Sequence, residues 1–181
     1  MPRALLIIDI QRDYFPGGAY PLVEPEAAAG AARSVLDAFR DAGEPVVHLK
    51  HVWDEPEATF MRPGTVGVEI HPLVEPAEGE PVIEKAAPNG FVDTGLEERL
   101  RAAGIDSLVV AGMMSSMCVD ATVRAGADLG FGMTVIHDGC AAPDLEFGAT
   151  KVSGPNVHAA FMAALGSGYA TLVSSDEVAK G

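Results

Sequence analysis

Basic residues are scarce in this chain: 12 Lys and Arg stand against 26 Asp and Glu, a formal net charge of -14. Nucleic acid and anionic membrane surfaces are bound by basic patches that displace counterions, so both are excluded as expected partners. The 12 cations are scattered and form no cluster. No apolar run approaches the ~20 residues of a membrane helix, and the run Ala4 to Ile8 is interrupted at Asp9, too soon for a secretory signal. With two cysteines, Cys118 and Cys140, a disulfide framework has almost nothing to build on. The expectation is a reducing cytoplasm with both thiols free. A bond between them would occupy the thiol that chemistry needs most. No G-x-G-x-x-G follows an apolar run, which argues against a dinucleotide site. Internal repeats and low-complexity tracts are absent.

What remains is an aliphatic chain, 48% apolar over 181 residues. That length is most economically one domain, spanning 1–181. Continuous apolar runs mark strands buried on both faces of a parallel sheet: Ala4–Ile8, Pro45–Lys50, Pro81–Lys85, the run from Ser107 to Ala111, Gly132–Ile136 and Tyr169–Val173. Helical spacing falls between them. Glu26–Ala42 would bury Ala28, Ala32, Val35 and Phe39, with Gly43 closing it. A capping box at Thr94–Glu97 starts a helix burying Leu96, Leu100 and Ala103 before Gly104. A further helix runs from Cys118 to about Gly130, and another from about Pro155 buries Val157, Phe161, Ala164 and Leu165. The stretch from His51 to about Gly79 reads as a long functional loop, and His137–Pro143 as a polar one. Alternation from end to end predicts an α/β fold: three layers, α/β/α, around a doubly wound, mainly parallel six-stranded sheet. Ligands bind such sheets at the carboxyl ends of the strands.

Three chemistry-bearing residues fall at those ends. Asp9 follows the first strand, Lys85 ends the third, and Cys118 follows the fourth across a Gly112-Met-Met-Ser-Ser-Met turn. Singly each has a plain explanation: a turn cap, a solvated charge, a core thiol. Together an Asp can take a thiol proton and return it to a leaving nitrogen, while a Lys stabilises both anions. A thiol at a helix start also has its pKa lowered by the helix dipole.

The surroundings of these residues resemble the isochorismatase-like cysteine hydrolase superfamily, which includes nicotinamidases and carbamoylsarcosine amidohydrolases. The resemblance rests on Asp9-Ile-Gln11, on Lys85-Ala-Ala-Pro-Asn-Gly-Phe91 followed by Thr94, and on Gly112-Met-Met-Ser-Ser-Met-Cys118-Val-Asp-Ala-Thr122. It spans about Ala4 to Val173. It implies a Rossmann-like strand order and a triad of Asp9, Lys85 and Cys118. Cys118 would attack a carbonyl carbon, release ammonia or an amine, and leave a thioester for water. It also implies a non-proline cis peptide at Met113–Met114, with the amides of Met114 and Cys118 serving as an oxyanion hole. Ser115 stands where Thr is common in the family, and Asn89 where Ser is common.

Nicotinamidases carry an Asp-x-His and a distant His that hold a metal. Here the region reads His48-Leu-Lys-His51-Val-Trp-Asp54 and runs on to His71, without an Asp-x-His. His48 and His51 are three apart on a strand and face opposite ways. His51, Asp54 and His71 are left as isolated candidate ligands. The expectation is therefore no metal, no cofactor, and not nicotinamidase activity. Gln11, Phe15, Trp53, Phe91 and Ser115 are the expected substrate contacts, with Met114 and Met117 near the nucleophile. Cys140 and His158 are expected to serve packing. The substrate is a small, neutral, partly apolar molecule, and the resemblance implies a homo-oligomer. Two other readings stand beside an amidohydrolase. A vinyl-ether hydrolase of the isochorismatase type would not need Cys118. A phospho-receiver or similar binding domain would want an acidic pair where Asp9 stands alone.

Overall fold

The structure, a computed structural model, describes residues 2–179. Six parallel strands form the central sheet: β1 (Arg3–Ile8), β2 (Val46–His51), β3 (Val82–Lys85), β4 (Ser107–Met113), β5 (Gly132–Ala141) and β8 (Thr171–Val173). Their order is β3-β2-β1-β4-β5-β8, the doubly wound arrangement expected. The helices are α1 (Pro25–Asp41), α2 (Leu96–Ala102), α3 (Asp120–Asp128), α4 (Gly154–Gly166) and α5 (Ser175–Ala179).

Alternation along each strand divides the core in two. Leu5 and Ile7 of β1 join Val109 and Ala111 of β4 under Ala28, Ala32, Val35, Leu36 and Phe39 of α1, with Val178 of α5 packed alongside. Ala4, Leu6 and Ile8 join Leu108 and Val110 under Leu96 and Leu100 of α2, Val123 of α3, and Met162 and Leu165 of α4. Both faces of β1 are thus covered, which is why it reads as an unbroken apolar run. Ala103 and Ala164, expected in this core, are exposed, and Met162 takes the buried place on α4. Among the described residues no helix is long and apolar enough to cross a membrane.

Three segments differ from the sequence reading. The polar-looking His137–Ala141 continues β5 instead of leaving the sheet, because an irregularity opposite Val110 to Gly112 lets Gly112 pair with Cys140 and Met113 with Ala141. A small antiparallel hairpin, β6 (Leu145–Phe147) and β7 (Thr150–Val152), projects beyond it. The long section after β2 is not loose. Ala58, Met61, Val68 and Val74 anchor it in the core, and Ile70 bridges to Gln11.

The strand order reverses between β1 and β4. A crevice opens there because the crossovers leave on opposite faces. Asp9 leaves β1 at this point and the turn that carries Cys118 leaves β4, so the topology alone brings them together. β3 lies two strands from β1, ~10 Å at ordinary strand spacing, a gap closed by the Lys85 and Asp9 side chains reaching towards each other to a 2.8 Å contact.

Candidate active site

Asp9 breaks away from β1 in the left-handed region, with φ 49°, a conformation that Asp tolerates better than most residues. Its amide donates to Leu49 O at 3.1 Å and its carbonyl accepts from Gln11 N at 2.9 Å. The turn after β4 contains the cis peptide Met113–Met114. A single π-type turn, Ser115–Val119, then leads into α3 and carries Cys118. Wide turns of this kind are common at functional sites.

Lys85 is the hub. Its ammonium lies 2.8 Å from Asp9 Oδ2, with both side chains fully shielded from solvent. It donates to Ala87 O at 3.0 Å and meets His51 Nδ1 at 2.9 Å. An ammonium has three N–H groups and no lone pair, so both hydrogen-bonded neighbours, Ala87 O and His51 Nδ1, must accept from it. Asp9 is less well supplied. Among the described residues its carboxylate has no aligned hydrogen bond beyond that charge contact. One ligating atom each of Asp9, His51 and Cys118 lies within 4.8 Å of the others.

Burial governs the proton affinities. It raises the Asp9 carboxyl above the ordinary carboxylate range by more than Lys85 lowers it. The Cys118 thiol is driven well above the ordinary thiol range, first by burial and then by the Asp9 charge. Here the structure corrects the sequence expectation of a depressed thiol. Cys118 precedes α3 on a dry turn beside a carboxylate, and these effects outweigh the helix dipole. His51 is held neutral, its pKa lowered to about 4 by burial and by Lys85.

Above this group is a pocket of about 420 Å³. Cys118, His51, Met114 and Met117 border it, with Ala86 and Pro88 below and Tyr14, Tyr20, Trp53 and Phe60 as an aromatic wall. Tyr20 stacks on Phe60 at 4.9 Å, Trp53 meets Phe60 edge-on at 5.5 Å, and Tyr14 lies 6.0 Å from it. Among the described residues no Asp, Glu, Lys or Arg lines this pocket. The wall comes from two loops, and buried Asp13 ties them: Oδ1 accepts from Ala19 N at 3.0 Å and Oδ2 from Met61 N at 2.6 Å. A larger cleft of about 540 Å³ lies beyond Phe60, beside Arg12 and Arg62, and touches none of Asp9, Lys85 or Cys118.

Trp53 and Met114 are on the pocket as expected, and Met117 with them. Four expected substrate contacts are not. Gln11 is fully buried; its Nε2 donates to His51 O and Val68 O, and its Oε1 accepts from His51 N. It splices the first loop to β2. Phe15 is buried and stacked on His71 at 3.7 Å, and Phe91 packs on Phe131 at 5.9 Å. Ser115 is inaccessible and bonds His158 Nδ1 at 2.8 Å, so His158 steadies the nucleophile turn from behind. The sequence reading missed Tyr14, Tyr20, Phe60 and the role of His51. For His51 the available signal was its place at the end of β2, paired with Lys85 in parallel register.

The residues present do not suit a metal. His48 is paired with Glu80 at 2.9 Å, His71 is stacked on Phe15, and Asp54 is exposed. Asp9, His51 and Cys118 do converge, but the Lys85 ammonium sits 2.8 Å from Asp9 and 2.9 Å from His51. A cation there would meet a like charge where it needs ligands.

A family model described as the isochorismatase domain matches residues 3–154. The isochorismatase family protein YddQ of Bacillus subtilis is 46% identical over 180 residues, covering 99% of this chain and 100% of that one. A crystal structure from Oleispira antarctica, assigned as an isochorismatase hydrolase, superposes with a TM-score of 0.96 at 47% identity, covering 99% and 97% of the two chains. The N-carbamoylsarcosine amidase of Thermoplasma acidophilum gives a TM-score of 0.81 at 29% identity over 97% and 98%. With its sheet, its switch-point crevice and this match across most of its length, the chain belongs to the isochorismatase family of hydrolases.

Proposed function

We propose that the protein is a cysteine-dependent amidohydrolase that cleaves the C–N bond of a small, uncharged carboxamide through a thioester. The observation that carries this is the buried ion pair of Asp9 and Lys85, with the Cys118 thiol beside it at the floor of a neutral pocket. The amidase named among the similar structures supports the reaction class.

The thiol is protonated at rest, so attack and proton transfer go together. Asp9 takes the Sγ proton as the C–S bond forms, and burial has already made that carboxylate a stronger base. The carbonyl oxygen becomes an oxyanion, which we assign to the backbone amides of Met114 and Cys118. Such donors contribute roughly 3 kcal/mol each. Asp9 then gives its proton to the leaving nitrogen, and the C–N bond breaks. A water loses its proton to Asp9, attacks the thioester carbon and expels the thiolate, which is reprotonated by Asp9. Lys85 keeps Asp9 ionised and balances whichever of the two groups is negative. It is not consumed.

The test is ammonia release from a panel of small amides, with Cys118→Ala and Cys118→Ser beside the native protein. Turnover should fall roughly a thousandfold or more, as it does when other triads lose their nucleophile. Denaturing mass spectrometry of the native enzyme should show an acyl adduct on Cys118. Undiminished turnover in Cys118→Ala would overturn the proposal. If that variant instead formed pyruvate from isochorismate at the native rate, vinyl-ether hydrolysis would replace it.

A further inference from the structure

We propose that His51 is a substrate-binding residue of fixed tautomer, whose Nε2–H donates to an uncharged hydrogen-bond acceptor on the acyl part of the substrate. The inference rests on the amidase reading only for where the substrate sits; the state of the ring is independent of it.

The argument begins at Lys85. Its ammonium can only donate, so whichever ring nitrogen faces it must offer a lone pair. That nitrogen is Nδ1, at 2.9 Å. Ala87 O accepts from the ammonium at 3.0 Å and the Asp9 carboxylate holds it by charge at 2.8 Å, so the lysine cannot turn away. A neutral imidazole with Nδ1 committed as acceptor carries its one proton on Nε2. The backbone is held as firmly as the ring. His51 N donates to Gln11 Oε1 at 2.8 Å, and His51 O accepts from Gln11 Nε2 at 2.9 Å.

Among the described residues the bonds of His51 run through its N, its O and Nδ1, which leaves Nε2 for the pocket that the ring borders beside Cys118. A donor bordering an otherwise apolar, uncharged pocket gives up its water when a ligand fills the space, so binding costs desolvation unless an acceptor on the ligand meets it. The ligand class follows: a carbonyl, ether or ring-nitrogen acceptor near the scissile amide. The same geometry removes a rival role. The only ring lone pair faces the ammonium, so His51 cannot take the thiol proton, and that task stays with Asp9.

The ring can be read without a substrate. In protein labelled with ¹⁵N-histidine, the His51 resonances, assigned by their loss in His51→Gln, should at pH 6.5 show a protonated Nε2 and a bare Nδ1. An Nδ1–H tautomer or an imidazolium would overturn the proposal. The donor role is read by binding. Trp53 is the sole tryptophan and lies on the pocket, so its fluorescence reports occupancy. In Cys118→Ala protein, which binds without turnover, pyruvamide should bind roughly fivefold more tightly than isobutyramide, its near-isostere with no second carbonyl, as one neutral hydrogen bond allows. Adding His51→Leu should erase that preference. His51→Gln, which can accept from Lys85 through Oε1 and donate through Nε2, should restore part of it. Equal binding of the two amides to Cys118→Ala protein, or binding of neither, counts against the donor role. Loss of activity in Cys118→Ala bears on the amidase reading alone, so the two can fail separately.

Discussion

Lys85 Nζ sits 2.8 Å from Asp9 Oδ2 with neither side chain reachable by water. A pair this deep is costly to break, because removing one partner leaves a buried charge uncompensated. Lys85→Met should therefore lose about 3–5 kcal/mol in urea unfolding as well as activity. Asp9→Asn/Lys85→Met should recover most of that loss while remaining inactive. A double mutant as unstable as the sum of the single ones would show the two groups to be uncoupled.

In the proposed mechanism Asp9 is ionised before the thiol proton moves. Its pKa is raised from 3.8, so the acid limb of kcat/KM should lie above the pH at which an ordinary carboxylate titrates. The thiol is raised from 9.0, so the alkaline limb should not appear at an ordinary cysteine pKa. A pH profile on any amide that is turned over checks both. An acid limb at or below pH 4 would contradict the account of Asp9.

His51 is neutral in the fold down to about pH 4, whereas an unfolded histidine titrates near 6.5. Its folded pKa is depressed, so the unfolded chain binds a proton that the folded one refuses. The stability it contributes is complete above 6.5 and is lost as pH falls towards 4. Urea midpoints of the native protein and His51→Gln should converge across that window and run parallel above it. Parallel curves throughout would mean that His51 takes up its proton in the fold.

Gln11 separates a structural contact from a substrate contact. Gln11→Ala leaves His51 N, His51 O and Val68 O without their partner, a loss of about 2–4 kcal/mol for groups this buried. The melting temperature should drop by at least ~5 °C. A substrate contact would raise KM and leave melting unchanged, and that result would reinstate the sequence reading.

The convergence of Asp9, Lys85 and Cys118 was legible because a charged or thiol side chain at the end of an apolar run is conspicuous, and parallel topology gathers strand ends. The pocket wall was not. Tyr14 and Phe15 are adjacent on a tight turn, yet one lines the pocket and the other lies under His71; one residue of rotation decides it. Phe91 looked like a wall because it follows Lys85 closely, but the intervening turn carries it to Phe131. The thiol's proton affinity was misjudged because dipole position can be read along the chain, whereas burial is set by neighbours far away in sequence. The β6–β7 hairpin left no trace, since its strands are short and its residues mostly exposed.

Asp13 bonds the loop carrying Tyr20 with one carboxylate oxygen and the loop carrying Trp53 and Phe60 with the other. The aromatic part of the pocket wall is thus stitched into one piece by a single carboxylate. A loop replacement that places no backbone amide where Ala19 N or Met61 N now lies should leave Asp13 half-bonded and the wall misaligned.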